Sequence, residues 1–157
     1  MPEIAVGRKE IHWALGWAIF IVGLSCVPYL YAWLSTPADL FYTGLIVNPY
    51  DGNSYLAKMR QGAGGEWLFH LPYTPEEHAG AFIYTFYLLL GHLAAWSGLP
   101  LILVYHLARV LSGFSLLLVA YRFAALFLED TSERRTAFLL VGLSSGLGWL
   151  VAPLGLM

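Results

Sequence analysis

The residues able to do chemistry are concentrated in one stretch of the chain. Between Ser35 and Gly80 stand Asp39, Asp51, Lys58, Arg60, Glu66, His70, Glu76, Glu77 and His78, although only 11% of all residues are charged. Asp51 is the sharpest candidate. It sits in the string Asn48-Pro49-Tyr50-Asp51-Gly52-Asn53-Ser54-Tyr55, where a turn gives way to a helix-forming segment. A carboxylate held there could act as general base toward a hydroxyl or help bind a divalent metal. It could equally cap the helix, a role worth about 1 kcal/mol. Lys58 and Arg60 follow on the same segment. Either could hold a phosphate at headgroup level, Arg through paired hydrogen bonds and Lys as a point charge, or snorkel toward water. Glu76, Glu77 and His78 form a second cluster. They could supply another acid/base or metal ligand opposite Asp51, or favour the start of the next helix.

Two further candidates lie outside this stretch. His106 and Arg109 are spaced i, i+3, hence on one face of a helix, inside an apolar run. An arginine there costs at least about 2.5 kcal/mol unless it meets protein, water or a headgroup. A structural pairing and a ligand-phosphate site both satisfy that requirement. His92 fits an interhelical hydrogen bond. No G-x-x-x-x-G-K-[ST] or H-E-x-x-H occurs, so the motifs for ATP-driven work and zinc proteolysis are missing. The net charge of −2 gives no basic footprint for nucleic acid. The single cysteine, Cys26, excludes an internal disulfide and reads as a buried, inert thiol.

The elements that must position these groups are set by hydropathy. Hydrophobic residues make up 59% of the 157, too many for one core of this size to hide from water. Lipid must solvate much of the chain. The expected fold is an all-α polytopic transmembrane helical bundle, with one membrane domain over 1–157 and about four spans: 11–34, 81–96, 101–128 and 136–157. The polar loop, 35–80, separates the first two. The first span reads as a retained anchor with aromatic belts at Trp13, Trp17, Tyr29, Tyr31 and Trp33. Within the loop, Asp51 to Gln61 predicts a short surface helix. Tyr55, Leu56 and Met59 share one face, Lys58 and Gln61 point elsewhere, and Gly62, Gly64 and Gly65 end the helix. Asp51 or Asn53 can cap it. Glu129 to Arg135 reads as a charged connector. Gly142, Ser145, Gly146 and Gly148 would let another helix approach closely. The chain stops within an apolar segment, so it is expected to be the N-terminal part of a longer protein.

Orientation follows from Arg8 and Lys9, which favour a cytoplasmic N-terminus and an extracytoplasmic loop. Four alternating crossings would then also place Arg134 and Arg135 outside, against the same rule. A re-entrant second span would return both basic clusters to the cytoplasm.

The order of these parts resembles the N-terminal portion of GT-C-type integral-membrane glycosyltransferases, a group that includes bacterial relatives of protein mannosyltransferases and lipid A sugar transferases. The stretch Asp51 to Gly62 looks like their acidic residue plus loop helix, Tyr73 to Tyr84 like the loop exit, and Tyr105 to Ser112 like the third-span entry. The resemblance implies transfer of a sugar from a polyprenyl-phosphate carrier to an acceptor on the extracytoplasmic face of a bacterial-type plasma membrane. Asp51 would be catalytic. Lys58, Arg60, Arg109 and His106 would bind the lipid phosphate. Glu76, Glu77 and His78 would be the second acid/base or metal group, with a divalent metal as possible cofactor. The chain departs from the family pattern in having Gly52 after Asp51, and an acidic loop exit where a basic residue is frequent. The expected partners are membrane lipid, the polyprenyl-phosphate sugar and further helices of the same protein. The competing expectation is a non-catalytic membrane subunit whose loop binds a partner or lipid through Tyr50, Tyr55, Trp67 and Phe69.

Overall fold

A computed structural model of the chain describes residues 6–46 and 48–144. Among these residues there are five helices and no strand: α1 (Arg8–Ser35), α2 (Pro49–Ala63), α3 (Thr85–Ser97), α4 (Leu101–Ala124) and α5 (Thr131–Leu143).

Two of the helices are long and apolar enough to cross a bilayer. α1 has 28 residues and α4 has 24. At 1.5 Å per residue they reach about 42 and 36 Å, against a hydrocarbon layer of about 30 Å. In each, only 11% of the most apolar window is buried. A core helix of a water-soluble domain would be mostly covered. Here Ile19, Phe20, Leu24 and Val27 on α1, and Leu111, Leu116, Val119 and Phe123 on α4, are exposed. Such continuous apolar surface associates the chain with a membrane.

Of the expected four spans, the described residues contain these two. α3 has 13 residues, about 20 Å of helix, and starts at Thr85 rather than 81. The cause is local. Ala81 is tied to Phe69 by two backbone hydrogen bonds of 2.9 Å, and Tyr84, just before the helix, takes a left-handed conformation (φ 55°). α5 begins at Thr131, inside the expected charged connector, and also has 13 residues. The rest of the expected fourth span, with Ser145, Gly146 and Gly148, lies outside the described residues. The tight turn after α3 is present, closed by Gly98 at φ 71°.

The chain divides into two compact units, residues 1–27 with 110–157, and residues 28–109. The division falls at Pro28 within α1, where the ring removes a backbone donor.

In the first unit, α1, α4 and α5 pack around Ala14, Ala18, Leu117, Tyr121 and Phe138. Trp13 meets Tyr121 with ring centroids 6.2 Å apart, whereas a Cβ on Gly113 would lie 3.8 Å from Val22. Rising numbers on α1 match falling numbers on α4, so the two helices are antiparallel. Trp13 also meets Phe138 at 5.7 Å, and a Cβ on Gly142 would lie 2.7 Å from Ile21, so α5 runs parallel to α1. The close approach expected at Gly142 is therefore present.

The start of α5 is locked to the start of α1. Arg134 and Glu10 form a buried pair at 3.4 Å. The same Glu10 oxygen accepts the Gly7 N–H at 2.9 Å, and Arg134 Nε donates to the Leu128 carbonyl at 2.7 Å. The expected connector is thus part of the fold, and Arg8, Lys9, Arg134 and Arg135 share one end of this unit.

In the second unit, α2 and α3 cross with backbones in contact. A Cβ on Gly62 would lie 2.0 Å from the Leu88 carbonyl oxygen, and one on Gly91 would lie 2.0 Å from that of Met59. Met59 and Leu88 are fully buried there. Gly62 is therefore a crossing residue inside α2 rather than its stop. The helix ends at Ala63, with Gly64 as C-cap.

Candidate functional site

α2 carries most of the candidate residues. Its first turn starts at Pro49, whose missing N–H is not needed there and whose fixed φ suits a helix start. The N-cap is Asn48, in a left-handed conformation (φ 47°), not Asp51 or Asn53. Asp51 instead sits in the first helical turn, where its charge suits the helix dipole, and accepts a hydrogen bond from the Asn48 side-chain amide. It is exposed, and no basic side chain among the described residues forms an ion pair with it.

Beyond Asp51, α2 is covered on two sides. Tyr55, Leu56 and Met59 share one face as expected, but that face packs toward α3, with Tyr55 stacked on Tyr87 at 4.7 Å. Lys58 and Gln61 face the chain that follows. Gln61 holds it in place: its amide donates to the His70 carbonyl at 2.8 Å and accepts the His70 N–H at 2.9 Å. In extended backbone, successive residues point their hydrogen-bonding groups to opposite sides. Phe69 thus pairs with Ala81 while His70 pairs with Gln61. The helix expected to lie on headgroups is instead clamped between α3 and this loop.

Lys58 is the most unusual residue of the site. It is only 7% exposed. Its ammonium donates to Ser54 Oγ at 2.7 Å and lies 4.3 Å from the centre of the Tyr84 ring and 5.2 Å from that of Tyr55. No carboxylate among the described residues pairs with it. It lines a cavity of about 120 Å³ with Ser54, Phe69, Leu71, Tyr73 and Tyr84. Arg60, two residues on, is exposed and does not join this cavity.

Glu76, Glu77 and His78 do not oppose Asp51 as an assembled group. All three are exposed. His78 Nε2 accepts the Leu71 N–H at 2.9 Å, so its proton is on Nδ1, which donates to the Glu76 carbonyl at 2.9 Å. Both ring nitrogens are occupied in shaping the loop. Among the described residues no three His, Cys, Asp or Glu side chains come together as metal ligands. Glu76, Glu77 and His78 do not start the next helix either, since α3 begins at Thr85.

His106 and Arg109 meet the same partner, as their spacing requires. The Arg109 guanidinium lies 4.5 Å from the Tyr29 ring centre, and the His106 ring lies 4.9 Å from it. His106 Nε2 donates to the Gly44 carbonyl at 2.8 Å. Gly44 has φ +85°, and a Cβ there would collide with Ile102. Nearby Tyr42 has a buried hydroxyl without a hydrogen-bond partner among the described residues. Burial raises its pKa above the ordinary value, Tyr29 adds to the rise, and Arg109 opposes it. His92 is buried against Trp67, with centroids 3.9 Å apart. Phe69 is buried as well and Tyr55 is stacked on Tyr87, so three of the four aromatic residues expected to form a docking patch are engaged within the unit.

The residues missed in the sequence are Ser54, Tyr84 and Gln61. Ser54 was legible, because i, i+4 on a helix puts it beside Lys58. Tyr84 and the Gln61–His70 pairing depend on the return of the loop, which no local spacing announces. Comparison of the chain with family models, curated proteins and solved structures finds no match.

Proposed function

We propose that this chain is part of an integral-membrane glycosyltransferase. It would move a sugar from a polyprenyl-phosphate carrier to a hydroxyl on the extracytoplasmic face, with Asp51 as the base that takes the hydroxyl proton. The observation that carries this reading is the presentation of Asp51. It is an exposed carboxylate in the first turn of a helix clamped by backbone contact with α3 and by the Gln61–His70 pairing. A fixed helix turn holds a general base where a substrate can reach it.

Sidedness supports the same reading. α1 and α4 are antiparallel, and α3 is too short to cross. The basic residues in the first turn of α1 and those starting α5 then lie on one side of the membrane, which the positive-inside rule makes cytoplasmic. The conflict created by four alternating crossings disappears. The stretch between α1 and α4, with Asp51, emerges on the outer side.

Conversion of Asp51 to Asn keeps the size and the hydrogen bond from Asn48 but removes the base. Sugar transfer to acceptor in membranes should fall by about 100-fold or more. Transfer at the normal rate by Asp51→Asn removes Asp51 from catalysis.

A further inference from the structure

The chain that leaves α1 doubles back before it reaches α2. α1 continues six residues past Tyr29 to Ser35, about 9 Å along the axis. A turn follows, in which the Leu40 N–H donates to the Pro37 carbonyl at 3.0 Å. After the turn the chain returns to the level of Tyr29. The Gly44 carbonyl accepts from His106 at 2.8 Å, the Gly44 backbone lies against Ile102, and the His106 ring meets Tyr29. Tyr42 stands within electrostatic reach of both Tyr29 and Arg109. Residues 36–44 therefore run back alongside the ends of α1 and α4.

The helix surface at that level faces lipid. Leu30 and Leu34 on α1, and Leu103 and Leu107 on α4, are exposed there, as part of the apolar surface that associates both helices with a membrane. Between the turn and Tyr42 stand Leu40, 64% exposed, and Phe41, 90% exposed. Neither belongs to a core of the described residues, so packing within the chain does not require them to be apolar. Asp39, the one charged residue between Ser35 and Tyr50, precedes them in the turn and is farther from Gly44 along the returning chain.

We infer that Leu40 and Phe41 form a wedge that enters the outer leaflet beside α1 and α4, its partner being the acyl chains and glycerol backbone of outer-leaflet lipid. The occupant is lipid because the wedge continues the exposed faces of two helices that lipid already covers. Large apolar side chains at that boundary gain by leaving water. The wedge is also tied to the candidate site. Leu45, next after Gly44, packs on Gly52 beside Asp51, where an added Cβ would lie 2.7 Å from the Leu45 methyl groups. A segment held in lipid at Leu40 and Phe41, on α4 at Gly44 and on α2 at Leu45 draws the first turn of α2 toward the bilayer. The wedge rests on the two-span arrangement and not on the glycosyltransferase reading.

The test is spin-label accessibility of the full chain in phosphatidylcholine nanodiscs, in a Cys26→Ala background. Labels at Phe41→Cys, at Leu24→Cys on the lipid-facing side of α1 and at Asn53→Cys beside Asp51 are challenged with oxygen, which concentrates in lipid, and with a neutral nickel chelate, which stays in water. All three positions are exposed, so the labels displace no packed side chain. The label at 41 should respond to oxygen as the one at 24 does, and should lose the nickel response that the one at 53 keeps.

A nickel response at 41 equal to that at 53 puts the tip in water and overturns the wedge. Shielding of the label at 41 from both reagents also overturns it, because protein and not lipid would then cover the tip. The pull on α2 has its own readout. In Leu40→Ser with Phe41→Ser, relaxation of the label at 53 by nickel-chelating lipid should fall, and unchanged relaxation removes that part of the proposal. Neither experiment reads sugar transfer, so a failed wedge and a failed enzymatic reading are told apart.

Discussion

Adding one methyl group at the α2–α3 crossing tests how the candidate site is held. In Gly62→Ala the new Cβ would lie 2.0 Å from the Leu88 carbonyl oxygen, far inside the 3.4 Å at which such a contact becomes ordinary. The obstacle is backbone, which cannot rotate away as a side chain can, so the helices must separate. Overpacking of this kind costs about 1–3 kcal/mol, whereas Gly to Ala inside a helix gains about 1 kcal/mol. A contact of 2.0 Å with backbone puts the cost in the upper half of that range, about 2–3 kcal/mol, so the clash wins with a net loss of about 1–2 kcal/mol. Gly91→Ala meets the Met59 carbonyl oxygen at the same distance and should cost as much. The double variant should cost less than the two together, because helices already parted by one methyl accommodate the second. At about 2–4 °C per kcal/mol, each single change should lower Tm by about 2–8 °C in detergent, followed by circular dichroism. Gly16→Ala is the control: nothing lies within 4 Å of its Cβ, and its Tm should hold or rise. If Gly62→Ala and Gly91→Ala behave like Gly16→Ala, α2 is not seated on α3 and the clamped presentation of Asp51 is wrong.

Two further outcomes follow from named contacts. Glu10→Ala leaves Arg134 buried without its partner and should cost about 3 kcal/mol in thermal unfolding. Glu10→Met with Arg134→Met should recover most of that loss, and a double variant as unstable as the single one would contradict the pairing. Gln61→Ala removes both hydrogen bonds to His70, worth about 1–3 kcal/mol together. The His70 amide should then exchange with deuterium about 5-fold faster or more, with the amides of α3 unchanged; equal exchange at His70 refutes the clamp.

The sequence told most about elements whose cause is local. The apolar runs behind α1 and α4 are legible by length, and the turn at Gly98 by its composition. The helix over Asp51 to Gln61 is legible two residues short of its start at Pro49, and Tyr55, Leu56 and Met59 mark its apolar face but not the α3 that covers it. What stayed hidden depends on distant chain. Glycines that read as a stop include Gly62, which is small because Leu88 passes close by. Arg134 reads as part of a solvated connector until Glu10, far away in sequence, arrives beside it. The short α3 reads as a span because its apolar run extends back to Ala81, where the pairing with Phe69 replaces helix. Asp51, Lys58 and Arg60 were found together by residue type, but the difference between buried Lys58 and exposed Arg60 comes from a loop that covers one and misses the other.

The sidedness of Asp51 carries the most weight. In a Cys26→Ala background, single cysteines at Asn53, beside Asp51, and at Ser132, beside the Glu10–Arg134 pair, can be probed with a membrane-impermeant maleimide in intact cells and in inverted vesicles. The two-span arrangement predicts that Asn53→Cys reacts from outside and Ser132→Cys from the cytoplasm. Reaction of both from the same side would contradict it, and with it the placement of the carboxylate on the outer face.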